Sequence, residues 1–150
     1  AAALAEIEAA LTQRQDPDWP RVVAIKRNAV SAWTALAMGD TAGALRLAAE
    51  AAAMEDVTEK HPVTPGELLP ARELYADLLL TIGRPADARA AYEQTLRREP
   101  GRARALYGLA RASELAGDRD AARRAYQEFL TWMARSDGDR AEVAQAKRFR

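Results

Sequence analysis

Apolar residues recur every three or four positions through most of this chain, and proline or glycine interrupts that period at a few places. In residues 2–14, Leu4, Ile7 and Ala10 or Leu11 fall at helical spacing among Glu6, Glu8, Gln13 and Arg14, which predicts an amphipathic helix with a narrow apolar face. Asp16-Pro17-Asp18-Trp19-Pro20 stops it, since each proline disfavours helical backbone in the residue before it. Asp18 is placed to cap the next helix, with Pro20 in its first turn. From 20 to 38 the apolar face is broad and carries Ile25, Ala29, Ala32, Trp33 and Leu36. Gly39-Asp40-Thr41 turns the chain into a helix over 41–54 built on Ala44, Leu45, Ala48, Ala51 and Ala52. Residues 59–66, Glu-Lys-His-Pro-Val-Thr-Pro-Gly, cannot form a helix interior, because two prolines and a glycine interrupt them. They predict an ordered, extended loop folded back on its neighbours, with Val63 as anchor and His61 and Thr64 satisfying backbone groups.

Beyond that loop the pattern predicts helices over 67–82, 85–98, 102–116, 119–134 and 140–149. Pro70 falls in the first turns of the 67–82 helix, where a missing N–H matters little. The last helix has few apolar contacts, Val143, Ala144 and Phe149, with Arg140, Lys147 and Arg148 around them. It reads as a terminal cap with a polar outer face.

The helices repeat. Gly83 and Gly117 are 34 residues apart, and so are Ala76 and Ala110, Ala88 and Ala122, and Tyr92 and Tyr126. A fixed period with a glycine turn between helices is the mark of stacked helix pairs. Gly39 precedes Gly83 by 44, so ten extra residues separate the first copy from the second. One all-α domain over 1–150 follows. It has an N-terminal helix (1–15), a divergent repeat (25–58), an inserted loop (59–68), two full repeats (69–102 and 103–136) and a capping helix (139–150). Ala76, Ala88, Ala110 and Ala122 mark where helices are expected to cross closely.

These residues resemble the tetratricopeptide repeat. That family has a small residue in helix A, glycine at the turn, small, aromatic and small residues in helix B, and proline at the end. The first full copy has Ala76, Gly83, Ala88, Tyr92 and Pro100; the second has Ala110, Gly117, Ala122 and Tyr126, with Ala134 at the proline position and Phe129 where the third small residue is expected. The upstream copy has Ala32, Gly39, Ala44 and Ala51, with Ala48 replacing the aromatic. The resemblance implies an α-solenoid that binds a protein partner through the helix A surface. The 59–66 loop with Leu69-Pro70-Ala71-Arg72-Glu73 is also similar to the C-terminal part of longer, uncharacterised bacterial proteins of this family. That likeness implies a bacterial source, a missing N-terminal part and no particular activity; cytoplasm and periplasm stay open.

On the helix A surface the partner-binding candidates are Lys26, Trp33 and Leu36; Glu73, Asp77 and Leu80; and Arg104, Tyr107, Arg111 and Glu114. Trp33 and Tyr107 would anchor an extended peptide or a partner helix. Some family members hold a C-terminal carboxylate with Lys and Asn. Here those places have Ala29 and Trp33, Glu73 and Asp77, and Tyr107 and Arg111, so that clamp is not expected. The alternatives are a structural terminal segment of a longer solenoid, or a metal- or ligand-binding accessory using the His61 loop.

Composition narrows the chemistry. Twenty-two basic and 22 acidic residues balance, so no long-range field for nucleic acid is expected. Arg97, Arg98, Arg102 and Arg104 with Arg123 and Arg124 form the densest basic cluster, diluted by Glu99, Glu114, Asp118 and Asp120. There is no cysteine and one histidine, His61, without partners at metal-ligand spacing. Glu55-Asp56 with Glu59 lacks the spacing of a calcium loop and reads as a solvated helix end. No enzyme motif, cofactor, membrane span or signal peptide is expected.

Overall fold

The computed structural model describes residues 1–15, 18–58, 67–136 and 140–149. The expected docking of the 59–66 loop, His61 and Thr64 included, lies outside the described residues. Those residues form α-helices and no strand: α1 (Ala2–Gln13), α2 (Trp19–Ala37), α3 (Thr41–Asp56), α4 (Ala71–Thr81), α5 (Pro85–Arg98), α6 (Ala103–Leu115), α7 (Arg119–Met133) and α8 (Ala141–Arg148). The architecture is an all-α helical repeat. The chain divides into two compact units, Ala1–Leu78 and Leu79–Arg150.

The repeated turn has one construction. Gly39, Gly83 and Gly117 take φ of 84°, 76° and 84°, a backbone region open to glycine because it lacks Cβ. Behind each, the next N–H reaches back five residues: Asp40 to the Ala35 carbonyl (2.9 Å), Arg84 to Leu79 (2.8 Å) and Asp118 to Ser113 (2.9 Å). These bonds satisfy carbonyls at the helix end and stop it. Asp40 and Asp118 then cap the following helix, their Oδ1 atoms accepting from the Gly43 N–H at 2.8 Å and the Ala121 N–H at 3.0 Å. The Gly83 turn has no such side-chain cap, and Pro85 lies in the first turn of the helix that follows.

In the first unit α1 packs on α2, where Arg27 Nε donates to Glu8 Oε2 at 2.7 Å. Ile25 and Ala29 of α2, Ala51 of α3 and Ala71 of α4 form its buried centre, with Met54 and Leu74 against it. Asp18 holds the N-cap place of α2 without a side-chain cap hydrogen bond, and Pro20 lies in the first turn as expected.

Two expectations change here. The helix expected over 67–82 starts at Ala71. Pro70 forces Leu69 away from helical backbone, so the chain can turn helical only from Pro70 onward. The Pro70 carbonyl accepts the first helical bond, from the Leu74 N–H at 3.1 Å. Glu55 and Asp56 are also not a solvated helix end. Glu55 Oε2 accepts from the Ala71 N–H at 2.5 Å, and the Asp56 carboxylate accepts from Arg72. The end of α3 therefore supplies the N-terminal cap that Pro70 cannot, and a carboxylate there also suits the positive end of the α4 dipole.

In the second unit α6 packs against both α5 and α7. Gly108 lets α6 approach the buried Tyr92 ring: a Cβ there would lie 2.3 Å from Tyr92 Cζ. Leu106, Ala110, Ala125, Tyr126, Phe129 and Ala146 form the core, with Val143 and Phe149 packed on it. Ala146 of α8 is buried and Ala144 is exposed, the reverse of the expected contact, because 143, 146 and 149 share the inward stripe. Ala76, Ala88, Ala110 and Ala122 all have 0% exposure, as close crossing requires. Ala88→Leu is therefore expected to lower stability by about 1–3 kcal/mol through overpacking. An unchanged urea midpoint would contradict the register.

Candidate functional site

Arg104, Tyr107 and Arg111 share one face of α6, at positions three and seven residues apart. Arg104 is exposed; Tyr107 and Arg111 are half-buried. The Tyr107 hydroxyl donates to Gln145 Oε1 of α8 at 2.6 Å. Its ring meets Tyr126 in an edge arrangement at 6.1 Å and Phe129 at 5.5 Å. Glu114 Oε2 accepts from Arg111 Nη1 at 2.7 Å and from the Tyr126 hydroxyl at 2.8 Å. Phe149 lies 4.9 Å from the Tyr126 ring, and the Arg119 guanidinium stands 5.6 Å from the Phe149 centroid. The surface thus has a cationic edge at Arg104 and an aromatic floor that α8 partly engages. Gln145 is a member that the sequence reading did not single out. Its signal was a polar residue beside the inward stripe of an otherwise charged helix.

Burial and the bond to Glu114 raise the Tyr126 pKa well above its ordinary value of 10.0. The fold therefore favours the protonated phenol. That contribution to stability is fully present below the unfolded pKa and is lost as pH rises through the folded one, since the unfolded chain then binds fewer protons. Wild-type stability is expected to fall between about pH 10 and pH 12, and Tyr126→Phe to flatten the Tyr126 part of that decline. Urea midpoints across this range check it; parallel declines in the two proteins would contradict it.

Lys26, Trp33, Glu73 and Asp77 belong to the first unit. Lys26 pairs with Glu67, just before α4. Trp33 lies seven residues further along α2 and is half-buried, as are Leu36 and Asp77. Glu73 is fully buried, at 0% exposure, and offers no open surface. Leu80, in the second unit, is half-buried. No group of acidic or histidine side chains suited to a metal occurs among the described residues. No helix among them is long and apolar enough to cross a membrane.

No curated protein sequence matches this chain. Tyr92 and Tyr126, the turn glycines 83 and 117, and the buried alanines 76, 88, 110 and 122 all fall within one stretch that does match a known family. That stretch, residues 75–141, matches the tetratricopeptide repeat, a unit that commonly mediates protein–protein interaction and is generally a non-catalytic scaffold.

Proposed function

We propose that the chain is a protein-interaction scaffold that holds a peptide or partner helix against its helix A residues. The observation that carries this reading is the α6 face: exposed Arg104 beside half-buried Tyr107 and Arg111, over Tyr126 and Phe129. An aromatic floor with a cationic rim suits a segment bearing an apolar anchor and a nearby carboxylate. In the first unit Lys26 and Trp33 offer the same pairing on α2. Protein rather than nucleic acid is the partner, since Arg111 answers to Glu114 and Lys26 to Glu67.

Selection from a peptide-display library on the immobilised chain tests this. The enriched peptides are expected to share an acidic residue near an apolar one, and to lose about tenfold in affinity on Arg104→Glu. Binders indifferent to both Arg104→Glu and Lys26→Glu would place recognition elsewhere.

A second reading is that these repeats close a longer solenoid. The bond from Tyr107 to Gln145 favours it, because α8 then covers a surface that the next repeat would otherwise need. Enrichment of peptides on a longer chain, with none enriched on residues 1–150, would support this second reading.

A further inference from the structure

α8 lies against the aromatic floor of the α6 face. The Tyr107 hydroxyl donates to Gln145, and Phe149, just past the end of α8, stands 4.9 Å from the Tyr126 ring. Val143, Ala146 and Phe149 form the inward stripe of α8 on the core that holds Tyr126 and Phe129. Glu142 comes one residue before that stripe begins. The pKa of the Tyr107 hydroxyl is raised, first by burial and then by Glu142 and Glu114, while Arg111 opposes them. The α8 carboxylate and the α6 guanidinium thus act on the same hydroxyl. α8 therefore carries a carboxylate followed by apolar positions one, four and seven residues later. Its hold is slight. Residues 141, 142, 144, 147 and 148 are exposed, and Ala146 is the buried residue of the helix. Eight residues are too few for a helix to persist alone in water, so α8 keeps its form by docking, and short terminal elements open at low free energy.

We infer that α8 is an internal stand-in for the partner, and that the partner is an amphipathic helix of another protein that takes the α8 seat by displacing it. That helix has a carboxylate at one position and apolar side chains one, four and seven residues later, as Glu142, Val143, Ala146 and Phe149 do here. The inference rests on the helix A reading above and adds to it the form of the partner and a built-in competitor. Both helices present the same groups to Tyr107, Tyr126 and Phe129, so they exclude each other. The tether gives α8 a high effective concentration, so the seat is closed at rest and the partner's apparent affinity falls with the fraction of open chains. A longer partner helix is better formed before it docks and loses less order on docking, which favours it over α8.

Fluorescence anisotropy reads the exchange, with a labelled peptide of residues 140–149 as probe and the full chain as receptor. In one variant Ala146→Asp drives α8 off its seat, because an unpaired carboxylate is costly to bury. That variant is expected to bind the probe at least about tenfold more tightly than wild type does, since its seat is open. A probe with the same Ala146→Asp change is expected to bind neither protein. Should the variant lose more helix by circular dichroism than α8 contains, Gln145→Ala with Phe149→Ala takes its place. Peptides selected from the display library are expected to displace the probe and to bind the variant more tightly than wild type. The inference is overturned if wild type and variant bind the probe alike, or if the variant does not bind it. Selected peptides that answer to Arg104→Glu but leave the probe in place also overturn it, and there the helix A reading survives. A probe that binds the opened variant while no selected peptide answers to Arg104→Glu supports the α8 seat and overturns the reading built on Arg104. A wild-type dimer that is lost on Ala146→Asp would seat the α8 of a second copy there, and overturns the inference.

Discussion

Phe129→Ala is expected to destabilise the protein by about 3–5 kcal/mol, the usual loss for a truncated core aromatic. The family pattern points the other way. Position 129 is where a small residue is usual, so a consensus-guided change to alanine would be expected to be harmless. Here Phe129 is 3% exposed and belongs to the core shared by α6, α7 and α8. Its ring also packs on Tyr107 at 5.5 Å. With the ring removed, α8 would lose part of the core it rests on. Equilibrium urea unfolding measures the effect; a loss under about 1 kcal/mol would mean that the neighbours collapse into the space.

The second large effect is expected at Gly108. Gly108→Ala removes a poor helix former and on propensity alone would gain about 1 kcal/mol. The added Cβ would sit 2.3 Å from Tyr92 Cζ and 2.4 Å from Cε1. Tyr92 is 1% exposed and has nowhere to retreat, so α5 and α6 must separate. Overpacking of about 3 kcal/mol outweighs the propensity gain, for a net loss of about 2 kcal/mol, and Gly108→Val loses more. In a Tyr92→Leu background the collision disappears and the sign is expected to reverse, Gly108→Ala then stabilising. A double-mutant cycle reads this coupling directly. Additive single effects would mean that the ring and the glycine do not meet.

Much of the fold was legible because it is written in residue types with few alternatives. A left-handed turn needs glycine, so Gly39, Gly83 and Gly117 announced three helix ends. Close crossing needs alanine, so positions 76, 88, 110 and 122 announced the repeat. The start of α4 was misjudged because apolar periodicity continued through Leu68 and Leu69. Only the backbone effect of Pro70 and a carboxylate 15 residues upstream, Glu55, set the boundary. That carboxylate was unreadable as a cap because capping is usually local, and its donor lies beyond an insertion. The helix A spacing placed Arg104, Tyr107 and Arg111 on one face. Periodicity gives the face of a helix but not what covers it, so the burial of Glu73 and the bond from Tyr107 to Gln145 came only with the structure.

The bond from the Ala71 N–H to Glu55, with the Arg72–Asp56 pair beside it, has a bearing on how this chain tolerates change in length. The end of α3 and the start of α4 are tied to each other directly. The intervening residues therefore need not set the spacing of α3 and α4. Doubling the number of residues in a flexible connection adds, in general, only about 0.6 kcal/mol of closure entropy. The junction is thus a natural port for grafting: an epitope or a reporter domain entered there would leave the register of the flanking helices to Glu55, Asp56 and Arg72.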